Sequence, residues 1–179
     1  MIILSKNNNQ VLLSKLTVDD FDQLVNYLHG LSAETKNRFG PHPFDLLSIS
    51  YFYEPHNQNT GYIARDVLTK EIIAYSIVKS GYLDHDSARL QSYGLQLSHD
   101  TDCTFAPSVA DKWQSLGIGN SLYDYINIGL QSSGIKRIIL WGGVQCNNEK
   151  AVHFYKKQGF KVLGKFEYNG LNYDMIKDI

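Results

Sequence analysis

Two short stretches of the chain carry residue types at spacings that can do chemistry. The first is Gln114-Ser115-Leu116-Gly117-Ile118-Gly119-Asn120, in which two glycines a residue apart lead into an amphipathic run. A strand that turns through glycine into a helix leaves several backbone N–H groups without intrahelical acceptors, where the helix dipole is positive, and such a place suits an anion. The second stretch is Asn148-Glu149-Lys150-Ala151-Val152-His153-Phe154-Tyr155-Lys156-Lys157-Gln158-Gly159-Phe160. Ala151 and Tyr155 stand four apart on one helix face, a turn from Asn148, so a small side chain, an amide and a phenol line one groove.

The anion can be narrowed by elimination. A nucleoside triphosphate loop of the GxxxxGK[ST] type is absent, and a dinucleotide loop expects a third glycine where Gly117 and Gly119 are followed only by Ser121 and Leu122. What remains, Gln114 to Gly119, resembles the QxxGxG/A pyrophosphate loop of the GCN5-related N-acetyltransferase (GNAT) family, which holds the diphosphate of acetyl-CoA. The second stretch resembles that family's NxxAxxxYxxxGF motif, and the two follow in the family's order and spacing within residues 101–179.

The resemblance implies an N-acetyltransferase that moves an acetyl group from acetyl-CoA to a primary amine by direct attack on the thioester. It implies a coenzyme site made of Ser108, Val109, Gln114, Ser115, Leu116, Gly117, Ile118, Gly119, Asn120, Asn148, Ala151 and Tyr155, with no metal, and catalytic roles for Tyr155 and Asn148. A lysine-like amine must lose a proton first, which costs roughly 4–5 kcal/mol at pH 7, and the thiolate that departs needs one. A phenol can supply it without a large mismatch, which makes Tyr155 the candidate acid, although a buried aromatic on a helix is its other reading. The thioester oxygen wants a fixed donor. The resemblance implies that an amide freed by the irregularity in the strand from Phe105 to Val109 supplies it; Pro107 has no N–H, so Ser108 or Val109 is the candidate, with Val109 preferred as a coenzyme contact. Asn148 either orients the pantetheine arm or an ordered water, or caps its helix.

The general base is harder to name. Asp102 and Thr104 lie in the strand that often carries a glutamate in relatives, and neither is a glutamate. His99, Asp100 and Asp102 form a polar cluster ahead of that strand. The stretches SAETKNRFGPH and SVADKWQSLGIG also resemble the acetyltransferase module of bacterial protein-lysine acetyltransferases, but Thr104 stands where that subgroup has its catalytic acid. The missing acid leaves a second function open: a non-catalytic acyl-CoA sensor of the same fold. Tyr51, Phe52, Tyr53 and residues 38–44 either wall an acceptor pocket or pack beneath a loop.

The elements that must position these residues follow from periodicity. Residues 11–16 read as a strand. Thr17 caps an amphipathic helix with apolar Val18, Phe21, Leu24, Val25 and Leu28, and a second helix starts at Ser32 and stops before Pro41. Two β segments, GYIARDV and EIIAYSIVKSGYL, form a hairpin; residues 84–100 are irregular, with room for a short helix near ARLQSYGL. DCTFAPSVAD is a strand that Pro107 should force into a bulge. A helix with Ile118, Leu122, Ile126 and Leu130 inward ends at Gly134, KRIILWGGV is a buried strand, and a short helix opens at Asn147 or Asn148 and closes at Gly159. Asn169-Gly170 signals a terminal type I′ hairpin. The expected order is β-α-α-β-β-β-α-β-α-β-β: a single-domain GNAT-like α/β fold over residues 1–179, its central sheet mixed but mostly antiparallel and flanked by helices.

Composition bounds the partners. A chain of 179 residues buries enough surface to fold unaided. Its 17 basic against 18 acidic residues give a net charge of −1, so no basic field exists to collect nucleic acid. The amino terminus has too short an apolar run for a signal peptide, and no window approaches the roughly 20 apolar residues of a membrane span, so the expectation is a cytoplasmic protein with no membrane partner. The expected partners are acetyl-CoA and a small-molecule or peptide amine; an exposed edge at the terminal hairpin admits a homodimer.

Overall fold

The computed structural model describes residues 1–179. The strands are β1 (Ile2–Leu4), β2 (Gln10–Lys15), β3 (Asn59–Asp66), β4 (Ile72–Ser80), β5 (Asp102–Val109), β6 (Arg137–Leu140), β7 (Val144–Gln145), β8 (Lys161–Glu167) and β9 (Leu171–Asp178). The helices are α1 (Phe21–Gly30), α2 (Ala33–Arg38), α3 (Leu46–Phe52), α4 (Ser87–Ser92), α5 (Ile118–Ser132) and α6 (Glu149–Lys157). One nine-stranded sheet has the order β1-β2-β3-β4-β5-β6-β9-β7, with β8 on β9. The β5–β6 pair is parallel; β1–β2, β2–β3, β6–β9, β7–β9 and β8–β9 are antiparallel. No helix is long and apolar enough to cross a membrane.

The chain divides into two compact units, residues 1–78 with 106–128 and residues 79–105 with 129–179. In the first, Val11 and Leu13 of β2, Ile63 and Ala64 of β3, and Ile73, Tyr75 and Ile77 of β4 are buried. Seven successive buried residues in β4 mark a strand covered on both faces, so its sequence runs apolar instead of alternating. Helix α5 buries Ile118, Leu122 and Ile126, the 3.6-residue stripe that its sequence carries.

In the second unit, Leu90, Ile139 and Ile176 form a core cluster against which Tyr82, Tyr93, Leu95, Leu97 and Leu163 pack. Arg89 joins Asp86 at 2.7 Å and Asp174 at 2.8 Å, and the Tyr93 hydroxyl donates to the same Asp174 at 3.0 Å. Arg137 grips Asp102 through Nε and Nη2, both at 2.9 Å. The β8–β9 hairpin pairs Glu167 with Leu171 and turns through Tyr168, Asn169 and Gly170, the last two in the left-handed region at φ of 48° and 106°.

The element order differs from expectation at four places. A first strand, β1, for which the sequence reading gave no element, pairs with β2; α3 forms after Asp45 caps it by accepting from the Ser48 N–H, whereas α4 falls near the stretch where a short helix was allowed. The expected strand KRIILWGGV breaks at Gly142 and Gly143, whose φ values of 62° and 73° lie outside the strand region, so β6 and β7 are separate. Thr17 precedes a single 3₁₀ turn, Val18–Asp20, rather than α1 itself, and Val18 points to solvent.

Asp102 is 1% exposed, so its removal would leave the Arg137 guanidinium without its bidentate partner. Asp102→Ala should lower unfolding free energy by about 3 kcal/mol in urea titrations. A loss below about 1 kcal/mol would show that the pair behaves as an exposed one.

Candidate functional site

The turn between β5 and α5 is set by two left-handed residues, Ser115 at φ 63° and Gly117 at φ 88°. A short 3₁₀ turn, Asp111–Trp113, delivers the chain to Gln114, whose side-chain Nε2 donates back to the Val109 carbonyl at 3.3 Å. That bond ties the loop to the end of its own strand. The first α5 bond beyond the turn runs from the Ser121 N–H to Gly117 O at 3.1 Å. The backbone N–H groups of residues 115–119 meet no protein acceptor. Five consecutive donors at the positive end of a 15-residue helix therefore remain for an external anion.

The segment before the turn is anchored from α2. Asp111 accepts from the Ser32 N–H at 3.0 Å, from Ser32 Oγ at 2.8 Å and from Thr35 Oγ1 at 2.8 Å. Partial burial raises its carboxyl pKa, but these hydrogen bonds outweigh that and hold it below the ordinary carboxylate value. Ser32 at once caps α2, by accepting from the Thr35 N–H, and fastens it here.

Ser108 is buried, and its hydroxyl is shared between the Tyr27 hydroxyl at 2.9 Å and the Tyr75 carbonyl at 3.2 Å. Its side chain is therefore part of the packing, and only its backbone remains a candidate for substrate. Val109 is half-buried, with its carbonyl taken by Gln114. Pro107 does lie inside β5.

In the second unit, Asn148 caps α6: its Oδ1 accepts from the Ala151 N–H at 3.3 Å. Capping thus uses the carbonyl end of the amide. Tyr155 is buried with its ring against Phe154 and Phe160, at centroid distances of 5.2 and 5.4 Å. Its hydroxyl has no protein partner, and burial alone pushes its pKa well above 10. The phenol consequently stays protonated through the physiological range, as a proton donor must. Gly159, at φ 87°, closes the helix.

The candidates for a general base are engaged elsewhere. Asp102 is held by Arg137 and by the Ser98 N–H. Thr104 donates to Gly81 O at 2.8 Å. His99 stacks on Tyr82 at 3.9 Å and faces the exposed Asp84, so the polar run 99–102 splits between surface and core and makes no cluster.

Sequence reasoning missed a buried polar chain in the first unit. His42 Nδ1–H donates to Pro43 O at 2.7 Å, leaving Nε2 to accept from the Tyr75 hydroxyl at 3.0 Å, and Tyr53 meets that same hydroxyl. Burial lowers the His42 pKa against the opposing pull of the Pro43 carbonyl and Asp45, so the ring is neutral. Phe52 packs on His42 at 4.6 Å, whereas Tyr51 is exposed. Tyr53 also lines an open groove of about 510 Å³ with Val18, Phe21, Leu46 and Pro55. Only contacts far apart in sequence bring His42, Tyr53 and Tyr75 together, and no spacing rule announces that.

The family profile described as "Acetyltransferase (GNAT) domain" matches residues 71–162, which include β4, β5, the glycine turn, α5 and α6. The chain belongs to the GNAT acetyltransferase family. No curated protein gives a significant sequence match. Among solved structures, this GNAT chain is similar to the GNAT domain of S. lividans PAT, at 18% identity over 100% of this chain and 96% of that one, with a TM-score of 0.76. A GNAT-family acetyltransferase from Streptococcus pneumoniae matches at 20% identity over 94% and 99%, with a TM-score of 0.69. The aminoglycoside acetyltransferase AAC(6')-Ib, solved in complex with coenzyme A, matches at 19% identity over 94% of each chain, with a TM-score of 0.68. At these identities the likeness establishes the GNAT fold.

The Asp111 bonds give a test with a defined pH sign. A carboxylate whose folded pKa is depressed stabilises above its unfolded value, near 3.8, and that contribution is lost as pH falls through the lower folded value. Asp111→Ala should therefore cost about 1 kcal/mol at pH 7, discounted for solvent exposure, and much less at pH 3. Urea titrations of both proteins at the two pH values measure this; an equal loss at both would mean that the carboxylate charge plays no part.

Proposed function

We propose that the protein is an acyl-CoA-dependent N-acetyltransferase that transfers the acetyl group of acetyl-CoA to a primary amine by direct attack on the thioester. The observation that carries this reading is the run of acceptor-free N–H groups at residues 115–119, which suits a diphosphate in number and charge. Membership of the GNAT family supports the reaction class, and the coenzyme A in the similar aminoglycoside acetyltransferase structure supports the ligand.

Each residue then has a task. The amides of Ser115, Leu116, Gly117, Ile118 and Gly119, with Asn120 following in the first turn of α5, hold the diphosphate. Gln114 keeps the turn in shape through Val109. The backbone N–H of Val109, or of Ser108, donates to the thioester oxygen as it gains charge. Asn148 and Ala151 line the pantetheine arm, and the side-chain NH2 of Asn148 is the part of that amide not spent on the cap. The amine nitrogen forms a bond to the thioester carbon, the carbon–sulfur bond breaks, and the Tyr155 hydroxyl gives its proton to the departing sulfur. The proton shed by the amine leaves to solvent. Burial keeps this tyrosine protonated and makes it a weaker acid than an exposed phenol, so the donation is driven by the charge that builds on the departing sulfur, and the tyrosine then regains its proton from water.

Gly117→Asp should weaken acetyl-CoA binding by about 10²-fold or more, because the new carboxylate faces the diphosphate and the residue must hold φ near 88°. Calorimetric titration of the variant, with circular dichroism to show that it is folded, measures this; unchanged affinity would move the coenzyme site elsewhere. Tyr155→Phe should lower kcat by about 10²-fold and leave coenzyme affinity within about twofold. An unaltered turnover with chemistry shown to be limiting would remove Tyr155 from the mechanism.

A further inference from the structure

The turn between β1 and β2 reaches the anion-binding loop. The backbone N–H of Lys6 donates to Leu116 O at 3.0 Å, and Lys6 Cγ lies 3.8 Å from the point where a Cβ on Gly117 would stand. The side chain therefore runs along the α-carbon of the glycine whose neighbours present the acceptor-free amides.

This placement is held firmly. Ser5, 5% exposed, receives the Asn9 N–H on its hydroxyl oxygen at 3.0 Å, and its carbonyl receives the Asn8 N–H at 2.9 Å. Asn8 takes the left-handed conformation, φ 64°, that the tight turn requires. The run NNN is a built corner, and Lys6 is the residue that it presents.

Charge gives the placement a meaning. The loop from β5 through α5 contains one cation, Lys112, and that faces Glu71 at 3.6 Å. Backbone dipoles alone would otherwise meet a diphosphate bearing about two negative charges. Lys6 is exposed and takes part in no ion pair.

We propose that Lys6 is a ligand of the coenzyme, its ammonium pairing with the diphosphate held by the amides of residues 115–119. The inference rests on the coenzyme reading above and adds a residue from the amino-terminal hairpin, outside the stretch that matches the family. Lys6 acts in binding and not in the acetyl transfer, so it should alter affinity and leave the saturated rate alone.

The test is calorimetric titration of the wild type, Lys6→Ala, Lys6→Glu and Lys6→Arg with coenzyme A and with dephospho-coenzyme A, which keeps the diphosphate and lacks the 3′-phosphate. Lys6→Ala should weaken both ligands by about 5- to 10-fold, Lys6→Glu by more, and Lys6→Arg by less than about twofold, with the losses shrinking as salt is raised. Wild-type affinity in both Lys6→Ala and Lys6→Glu would overturn the proposal. A loss seen with coenzyme A but absent with dephospho-coenzyme A would overturn the assignment to the diphosphate and move Lys6 to the 3′-phosphate. Failure of the wild type to bind either ligand would overturn the coenzyme reading itself, an outcome read before any variant is compared. Lys6 is a surface side chain, so the variants should retain the wild-type circular dichroism spectrum.

Discussion

Backbone amides want acceptors, and a helix start leaves several without them. In this chain that constraint is kept open. Two left-handed residues, Ser115 and Gly117, turn the strand into α5 so sharply that five successive N–H groups face no protein oxygen. Most proteins close such an end with a serine, threonine or aspartate cap. Here the residues ahead of the helix are leucine and glycine, which offer no side-chain oxygen, and the donors are left without a protein acceptor.

The surroundings of the turn preserve this arrangement. Gln114 is spent on Val109, Asp111 on Ser32 and Thr35, and the Leu116 carbonyl on Lys6. Each bond removes a way for the loop to fold back on its own amides. The loop is thus fastened through side chains and carbonyls, while its N–H groups stay out of the bonding. The proposed acid is kept protonated by a different means. Tyr155 is buried without a partner, so its proton is retained by desolvation.

How much of this was legible follows from range. Helix α5 was readable because Ile118, Leu122, Ile126 and Leu130 recur at helical spacing and all are buried; α6 because Asn148 and Gly159 bracket it; the last hairpin because Asn169-Gly170 demands positive φ. The glycine turn was readable for the same reason, being local. β1 was not, since a three-residue strand carries no period and exists only through its pairing with β2. α3 hides behind Pro43 and aromatic residues of low helix preference, and Asp45 starts it. The break at Gly142 and Gly143 reflects crowding: a Cβ on Gly143 would come 2.6 Å from the Tyr173 carbonyl, a neighbour 30 residues away that no local rule foresees. The placements of His42 and Lys6 likewise arise from contacts between distant segments.

Amide resonances report the central claim most directly. In a two-dimensional ¹⁵N–¹H spectrum titrated with coenzyme A and, separately, with acetyl-pantetheine, which lacks phosphate, the account expects the amides of Leu116, Gly117, Ile118 and Gly119 to move strongly with the first ligand and little with the second. Bound coenzyme A that left those four amides unmoved while shifting others would contradict it.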